Sequence, residues 1–419
     1  MKLIHLSDLH LGKRIYGFSM IEDQNYILKR ILNIIDAEHP DAVLIAGDIY
    51  DKPIPPAEAV ELFDDFIVRL AKRHLQVFII SGNHDSPERL SFANRLIDSS
   101  GIHFSPVYDG SVKHISLEDE YGIVNIYMLP FIKPVHVRRF FPEEDIGTWT
   151  DAVRTALHHL QPEAAGAQAE ASQSATERRD EQPRTAWQEE AGQQSAGEQQ
   201  PAGEPAAGSA RNVLVAHQFV TGAERSESEE ISVGGADNVD ASAFDGWDYV
   251  ALGHIHGPQR IGTDAIRYSG TPLKYSFSEA KHQKSVSVVE LKEKGNLSVR
   301  CVPLIPLRDM AEIRGSYMEI TARSFYADTS LQEDYVHVIL TDEEDIPDAM
   351  TKLRVIYRNL MKLDYDNTRT RSITQIEGAA AVEQKSPLEL FAEFYEQQNG
   401  APMSDEQSAF VQKLLEEME

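Results

Sequence analysis

Five short polar motifs, each placed directly after an apolar run, constrain this chain more than any other feature. They are Asp8-Leu9-His10, Gly47-Asp48, Gly82-Asn83-His84-Asp85, the lone His217, and Gly253-His254-Ile255-His256. The runs before them are residues 2–6, 42–46, 76–80, 213–216 and 249–252. Short apolar runs bounded by glycine and polar residues read as buried strands. Ile27, Leu28, Ile31, Leu32 and Ile35 recur at helical spacing after the first run, and Val60, Phe63, Ile67 and Leu70 after the second. Strand, helix, strand, helix, strand predicts an α/β layer with a sheet covered by helices. Further strands are expected at 124–129 and 286–291. Ligand sites in open α/β sheets collect at the carboxyl ends of strands, so motifs far apart in sequence converge there.

The bulk properties narrow the class. The chain has 419 residues, enough for two or three domains. Its one cysteine, Cys301, excludes an internal disulfide framework and fits a reducing, cytoplasmic setting. Residues 1–10 enter a strand pattern at once, so no signal peptide is expected, and no apolar run approaches the ~20 residues of a membrane span. A formal net charge of −27 argues against a basic surface wrapped broadly around nucleic acid. It leaves a nucleic-acid enzyme open, because bound cations offset local carboxylate charge and a partner could carry most of the nucleic-acid contacts.

Three segments break the α/β texture. Residues 161–210 contain no Ile, Leu, Val or Phe, and Trp187 is their only aromatic. Such a stretch buries too little apolar surface to offset its ordering entropy, so a disordered insertion is expected. From about 277 to 375 a small second α+β domain is expected, with a strand at 335–340 and a helix over 346–362. Residues 376–419 read as a linker and two helices. Ser386-Pro387-Leu388-Glu389 and Ser404-Asp405-Glu406-Gln407 are capping boxes. The apolar faces that follow pack on their own protein or dock on a partner.

The motifs supply Asp, Asn and His, with no thiolate. That excludes a cysteine-rich structural zinc site and leaves manganese, iron or zinc. Two adjacent cations need a shared carboxylate, for which Asp48, on a glycine turn, is the candidate. Asp8, His10 and one closing histidine complete one site; Asn83, His217 and the other closing histidine complete the second. In an extended segment His254 and His256 project to the same face, and Gly253 and Gly257 let the backbone approach closely. Two such cations activate water and hold phosphate oxygens. His84, beside Asn83, is placed to stabilise charge on the phosphate or protonate a leaving oxygen. Asp85 is a candidate to fix its tautomer. His39, His74, His103, His114, His136, His158 and His159 have no such context.

The ordered set resembles that of the calcineurin-like metallophosphoesterases, which implies a β-sandwich flanked by helices. The flanks narrow the resemblance to the SbcD family of bacterial nuclease subunits. They are His5-Leu-Ser-Asp-Leu-His-Leu-Gly-Lys-Arg14, Ala46-Gly-Asp-Ile-Tyr-Asp51, Ile80-Ser-Gly-Asn-His-Asp-Ser86 and Ala251-Leu-Gly-His-Ile-His-Gly257, with Tyr268-Ser-Gly-Thr-Pro-Leu-Lys-Tyr-Ser-Phe-Ser-Glu279 and the tail from Ser386 to Tyr395. The resemblance covers nearly the whole chain except 161–210, which departs from the compact family pattern.

What the resemblance implies is specific. The activity is a manganese-dependent DNA nuclease, exonucleolytic on double-stranded ends and endonucleolytic on single strands and hairpins, in repair, recombination and replication. The partner is an SbcC-type coiled-coil ATPase that drives cleavage with ATP, in a heterotetramer of two subunits each, with the tail helices docking near the coiled-coil base. Residues 1–276 form the nuclease domain and 277–375 cap it. Asp8, His10, Asp48 and His256 hold one metal, Asp48, Asn83, His217 and His254 the other, and His84 is catalytic. Lys13 and Arg14 are candidate DNA phosphate contacts, or an ordinary solvated pair. The alternatives are a phosphatase or cyclic-nucleotide phosphodiesterase on the same scaffold, and a non-catalytic DNA-end-binding assembly protein.

Overall fold

The structure, a computed structural model, describes residues 1–92, 98–160, 210–229 and 237–368, with isolated positions beyond. The described chain divides into two compact units, Met1–Ala311 and Glu312–Glu419.

In chain order, the main elements of the first unit are β1 (Lys2–Leu6), α1 (Ile21–Glu38), β2 (Ala42–Ala46), α2 (Ala57–Ala71), β3 (Gln76–Ile80), β4 (Ile102–Phe104), β5 (Lys113–Asp119), β6 (Gly122–Leu129), α3 (Trp149–His158), β7 (Arg211–His217), β8 (Tyr249–Gly253), β9 (Gln259–Ile261), β10 (Thr263–Tyr268), β11 (Ser285–Leu291) and β12 (Leu297–Pro303). They build two six-stranded sheets, ordered β12-β11-β1-β2-β3-β4 and β9-β10-β8-β7-β6-β5. Strands β1 to β4 pair in parallel in the first sheet, as do β6, β7, β8 and β10 in the second.

Alternation along the strands creates the sandwich. Leu3, Leu44, Phe78 and Ile80 of the first sheet meet Ile126, Val213, Val215 and Ala251 of the second in one buried core. The other face of the second sheet presents Leu214, Ala216, Val250 and Leu252 to Ala152, Val153 and Ala156 of α3. Strand β2 is buried at every position, as expected for a parallel strand covered on both faces. Helices α1 and α2 bury Ile27, Leu28, Ile31, Leu32 and Ile35, and Ala59, Phe63, Phe66 and Leu70. A polar link also joins the sheets: the His5 ring of β1 lies 2.9 Å from the Tyr249 hydroxyl and 3.2 Å from the Leu252 carbonyl.

Two expectations are corrected. The first unit does not end near residue 276, because β11 pairs antiparallel with β1 and places Val289 and Leu291 in the inter-sheet core; it runs to Ala311. Nor is 346–362 one helix. A helix spans only Ala349–Arg354, and Asn359–Tyr365 is a strand parallel to Tyr335–Leu340. Leu360 joins Val336, Val338 and Leu353 in the second unit's core. Backbone pairing with a distant strand overrides the local helical period there. The third strand of this sheet is Met310–Gly315.

The expected insertion lies outside the described residues, apart from Ala210, as does most of the predicted tail. The second capping box falls partly within them. The Ser404 backbone N–H donates to Gln407 Oε1 at 2.9 Å, and the Gln407 N–H donates to the Ser404 hydroxyl at 3.3 Å. Among the described residues no helix is long and apolar enough to cross a membrane.

Candidate metal centre

All five motifs meet at one edge of the sandwich. The loops after β1, β2 and β3 bring Asp8, His10, Asp48, Asn83 and His84; β7 ends on His217, and the chain leaving β8 brings His254 and His256. The first two loops extend the parallel pairing of their strands, with Asp8 N–H donating to the Gly47 carbonyl at 3.0 Å and His10 N–H to that of Asp48 at 2.9 Å. To turn their side chains inward, Asp8, His10 and Asp48 adopt φ of 53°, 44° and 51°. Non-glycine residues held in that left-handed region cost ~1–3 kcal/mol each and cluster at functional sites.

The two carboxylates are held in the same way. Oδ1 of Asp8 accepts the backbone N–H of His254 at 2.9 Å, and Oδ1 of Asp48 accepts that of His84 at 2.9 Å. Each motif therefore holds the backbone of another. The second oxygens point into the cluster. Asp8 Oδ2 is buried without a hydrogen-bond partner. Asp48 Oδ2 lies 3.4 Å from His217 Nε2, 3.6 Å from His10 Nε2 and 3.9 Å from His84 Nε2.

The rings complete two groups around Asp48. On one side His10 Nε2 and His256 Nε2 are 3.1 Å apart. On the other, Asn83 Oδ1 lies 3.0 Å from His217 Nε2 and 2.9 Å from His254 Nδ1. The His217 ring is set by the Ala46 carbonyl, 2.8 Å from Nδ1. A carbonyl only accepts, so Nδ1 carries a hydrogen and Nε2 is the nitrogen that faces the cluster. Two glycines make room. A Cβ on Gly82 would stand 2.1 Å from Asp48 Oδ1, and one on Gly253 would stand 1.8 Å from the Ala46 carbonyl oxygen.

Electrostatics agree with a cluster made for cations. Burial raises the Asp8 carboxyl, which His217 lowers in part and Asp48 raises further, to about 7. Burial would also raise Asp48, but His217, His10 and His84 outweigh it and hold Asp48 well below the usual carboxylate range. Burial lowers His217, yet Asp48 and Asp8 more than reverse that and bring it up to about 9. His254 is lowered to about 3, by burial first and then by His217, while burial holds His10 and His256 well below the usual histidine range. Neutral imidazoles and ionised carboxylates are the ligand forms of divalent cations. Asp48, His10, His254 and His256 already have that form, while Asp8 and His217 would give up protons to a cation. Three groups of such residues each converge within 4.8 Å: Asp8, His10 and His256; His10, Asp48 and His84; Asp8, Asp48 and His217. The orphaned Asp8 oxygen and two facing imidazole nitrogens fit cations between them.

Several expected details differ. Asp85 does not orient the His84 ring. Its carboxylate accepts the N–H groups of Ile49, Tyr50 and Gly82 at 3.1, 3.0 and 2.9 Å, tying the β2 loop to the β3 loop. The Nδ1 of His84 faces the Asp51 carbonyl instead, at 3.0 Å. His254 and His256 do not lie on an extended segment, since His254 takes φ of 103°. Gly257 is not forced by space, the nearest atom to its Cβ being 3.4 Å away. Of the basic pair, Lys13 reaches the rim, with Nζ 2.6 Å from Asp51 Oδ1. The exposed Arg14 turns away to donate to the Gly17 carbonyl at 2.6 Å.

Other residues at the site carried no motif signal. Gln24 of α1 donates to the His10 carbonyl at 2.8 Å and to the Tyr275 hydroxyl at 3.0 Å, and Tyr275 donates to the Leu9 carbonyl at 2.7 Å. Glu229 accepts the His256 N–H at 2.6 Å. A buried glutamine inside an amphipathic helix has no distinctive spacing, and only the Tyr268–Glu279 resemblance pointed towards Tyr275.

A two-sheet sandwich whose strand ends gather two carboxylates, an asparagine and a histidine set defines a metal-dependent phosphoesterase. The calcineurin-like phosphoesterase family model matches residues 1–258. The chain belongs to that family, and the family implies divalent metal ions. A second family model, described as the type 5 capsule protein repressor C-terminal domain (SbcD_C), matches residues 306–399. Over 99% of its length the chain is 28% identical to the SbcD component of the nuclease SbcCD from Staphylococcus epidermidis, covering 98% of that protein. Among solved structures, a dimetal phosphatase from Danio rerio is 10% identical, with 73% of this chain and 99% of that one aligned at a TM-score of 0.35. The phosphoesterase Yfce from E. coli is 18% identical, with 32% and 65% aligned at a TM-score of 0.18.

Proposed function

We propose that this chain is the nuclease subunit of an ATP-dependent DNA-processing complex, cleaving DNA phosphodiesters with two Mn2+ ions. The observation that carries the reading is Asp48 Oδ2, which lies among the His217, His10 and His84 nitrogens at 3.4–3.9 Å while Oδ1 is tied to the backbone. Asp8, His10, Asp48 and His256 would hold one ion; Asp48, Asn83, His217 and His254 the other. Bound there, the pair supplies an activated water and charge to match the phosphate oxygens.

The protein's own groups do the rest. His84 keeps its Nδ1 hydrogen on the Asp51 carbonyl, so Nε2 is the atom that meets the phosphate or the leaving oxygen. Asp85 holds the loops that carry Asp48 and His84 in register. Lys13, at the rim beside Asp51, contacts a DNA phosphate; Arg14 is left as a solvated residue. Full-length similarity to a component of a nuclease complex supports a nuclease activity and a second subunit as partner; we take DNA as the substrate and an SbcC-type ATPase as that partner, in two copies of each protein. In this reading the tail from Ser386 docks on the ATPase.

The test is incubation of the full chain, with and without its ATPase partner, with Mn2+ and end-labelled duplex or hairpin DNA. Cleavage that requires His84 supports the reading. Turnover of a small phosphoester alongside intact DNA under both conditions overturns it. Truncation before Ser386 should abolish association with the ATPase and leave Mn2+ binding unchanged.

A further inference from the structure

The Tyr268–Glu279 segment is distinctive in the sequence, yet none of its side chains belongs to the metal cluster. It lies behind His256. Ser228 Oγ is 2.6 Å from His256 Nδ1 and donates to Glu279 Oε1 at 2.5 Å. Glu279 Oε2 accepts the Lys284 ammonium. Lys284 uses its other hydrogens on the His256 carbonyl at 2.8 Å and the Thr271 hydroxyl at 2.7 Å. Glu279 and Lys284 are almost wholly buried, 0% and 4% exposed.

We infer that Ser228, Glu279 and Lys284 form a hydrogen-bond relay that sets the tautomer of His256, making them positioning residues for one cation site. The inference rests on the proposed reading of His256 as a metal ligand.

Counting hydrogens gives the direction. Lys284 can only donate, so it keeps Glu279 anionic and acceptor-only. Glu279 Oε1 also faces the Tyr275 N–H at 3.3 Å and the Ser276 hydroxyl at 3.0 Å. A serine hydroxyl has one hydrogen, and with Glu279 as its acceptor that hydrogen is committed. Ser228 Oγ can then only accept from His256, which places a hydrogen on Nδ1. Nε2, 3.1 Å from His10 Nε2, is left with its lone pair facing the cluster. Lys284 meanwhile fixes the His256 carbonyl, so the relay holds the residue's backbone and ring together. Hydrogen-bond partners of this kind set ligand orientation and basicity, and losing one costs ~10–100-fold in metal affinity.

The experiment reads the tautomer directly. Metal-free full-length protein carrying 15N-histidine is examined by long-range 15N–1H correlation NMR, with His256 assigned by substitution, and Mn2+ is then titrated calorimetrically. Wild type should show His256 protonated on Nδ1. In Glu279→Gln the amide oxygen must face Lys284, so the NH2 group faces Ser228. Ser228 then has to accept from that amide, which frees its hydrogen for His256 Nδ1 or for the Ser226 hydroxyl 3.0 Å away, so the Nδ1–H form should lose its exclusive hold and the Nε2–H form should appear. One of the two Mn2+ equivalents should weaken ~10–100-fold. Ser228→Ala should give a tautomer mixture and a smaller loss, and Ser228→Thr should restore wild-type behaviour. If Glu279→Gln fails to fold, the Ser228 pair decides, since Ser228 lies in a partly exposed loop. An Nε2–H tautomer in wild type, or tautomer and Mn2+ affinity unchanged in the variants, overturns the relay. Because the tautomer is read without metal or DNA, failure of the nuclease reading would leave this readout intact.

Discussion

The two sides of the metal cluster are held by different means. The His217 side is part of the sandwich: its ring is set by a main-chain carbonyl, Ala46, at the end of a buried central strand, and β7 carries it in register opposite Gly253. The His256 side hangs on loop side chains, with Ser228, Glu229, Glu279 and Lys284 supplying its contacts. A main-chain anchor is insensitive to side-chain identity but demands space, which is why glycine stands at 253. A side-chain relay tolerates looser packing but depends on every hydrogen being placed. Asp48 belongs to both sides.

That contrast can be broken or sharpened by substitution, beginning with the largest effect. Asp48→Ala should abolish cleavage and both tight Mn2+ sites together; one full-affinity equivalent surviving in metal analysis would show that the sides do not share a carboxylate. His84→Gln should reduce the hydrolysis rate ~10²–10⁴-fold while both Mn2+ equivalents remain; loss of metal would make His84 a ligand. Gly253→Ala attacks the main-chain anchor. With 1.8 Å between its Cβ and the Ala46 carbonyl oxygen, backbone must move, and thermal denaturation should show at least the ~1–3 kcal/mol of an overpacked core. Equal melting temperatures would mean that the anchor is pliable.

Acidity supplies the mildest test. Without metal, Asp8 titrates at about 7 and His217 at about 9, so near neutral pH His217 carries a proton and Asp8 about half of one. A cation must displace them. Mn2+ affinity should therefore rise from pH 7 to pH 9 and fall further as Asp8 protonates below pH 7, and calorimetry in buffers of different ionisation enthalpy should register proton release. Uptake independent of pH across this window would contradict the assignment of Asp8 and His217 as ligands.

Much of this centre was legible in the order of residues alone. Apolar runs ending in Asp, Asn and His marked the strands, because burial on both faces of a parallel sheet demands continuous hydrophobic residues. Strand ends then located the site. The helix expected over 346–362 failed because residues 359–365 pair with a strand more than twenty positions earlier, a contact that local periodicity does not encode. The role expected of Asp85 failed for a similar reason. Adjacency to His84 suggested a ring partner, whereas the chain turn sends its carboxylate to the N–H groups of Ile49, Tyr50 and Gly82.

By itself the sequence determined the inventory: which residue types are present, in what order, and on which strand ends. Those follow from short-range pattern, since burial and turn formation act over a few residues. Tertiary structure alone decided which oxygen of Asp8 and Asp48 points inward, which nitrogen of His217 and His256 is left for a cation, and that Ser228, Glu279 and Lys284 stand behind one ring. These depend on single hydrogen bonds between residues up to 246 positions apart, and only the folded sandwich brings their donors and acceptors within reach.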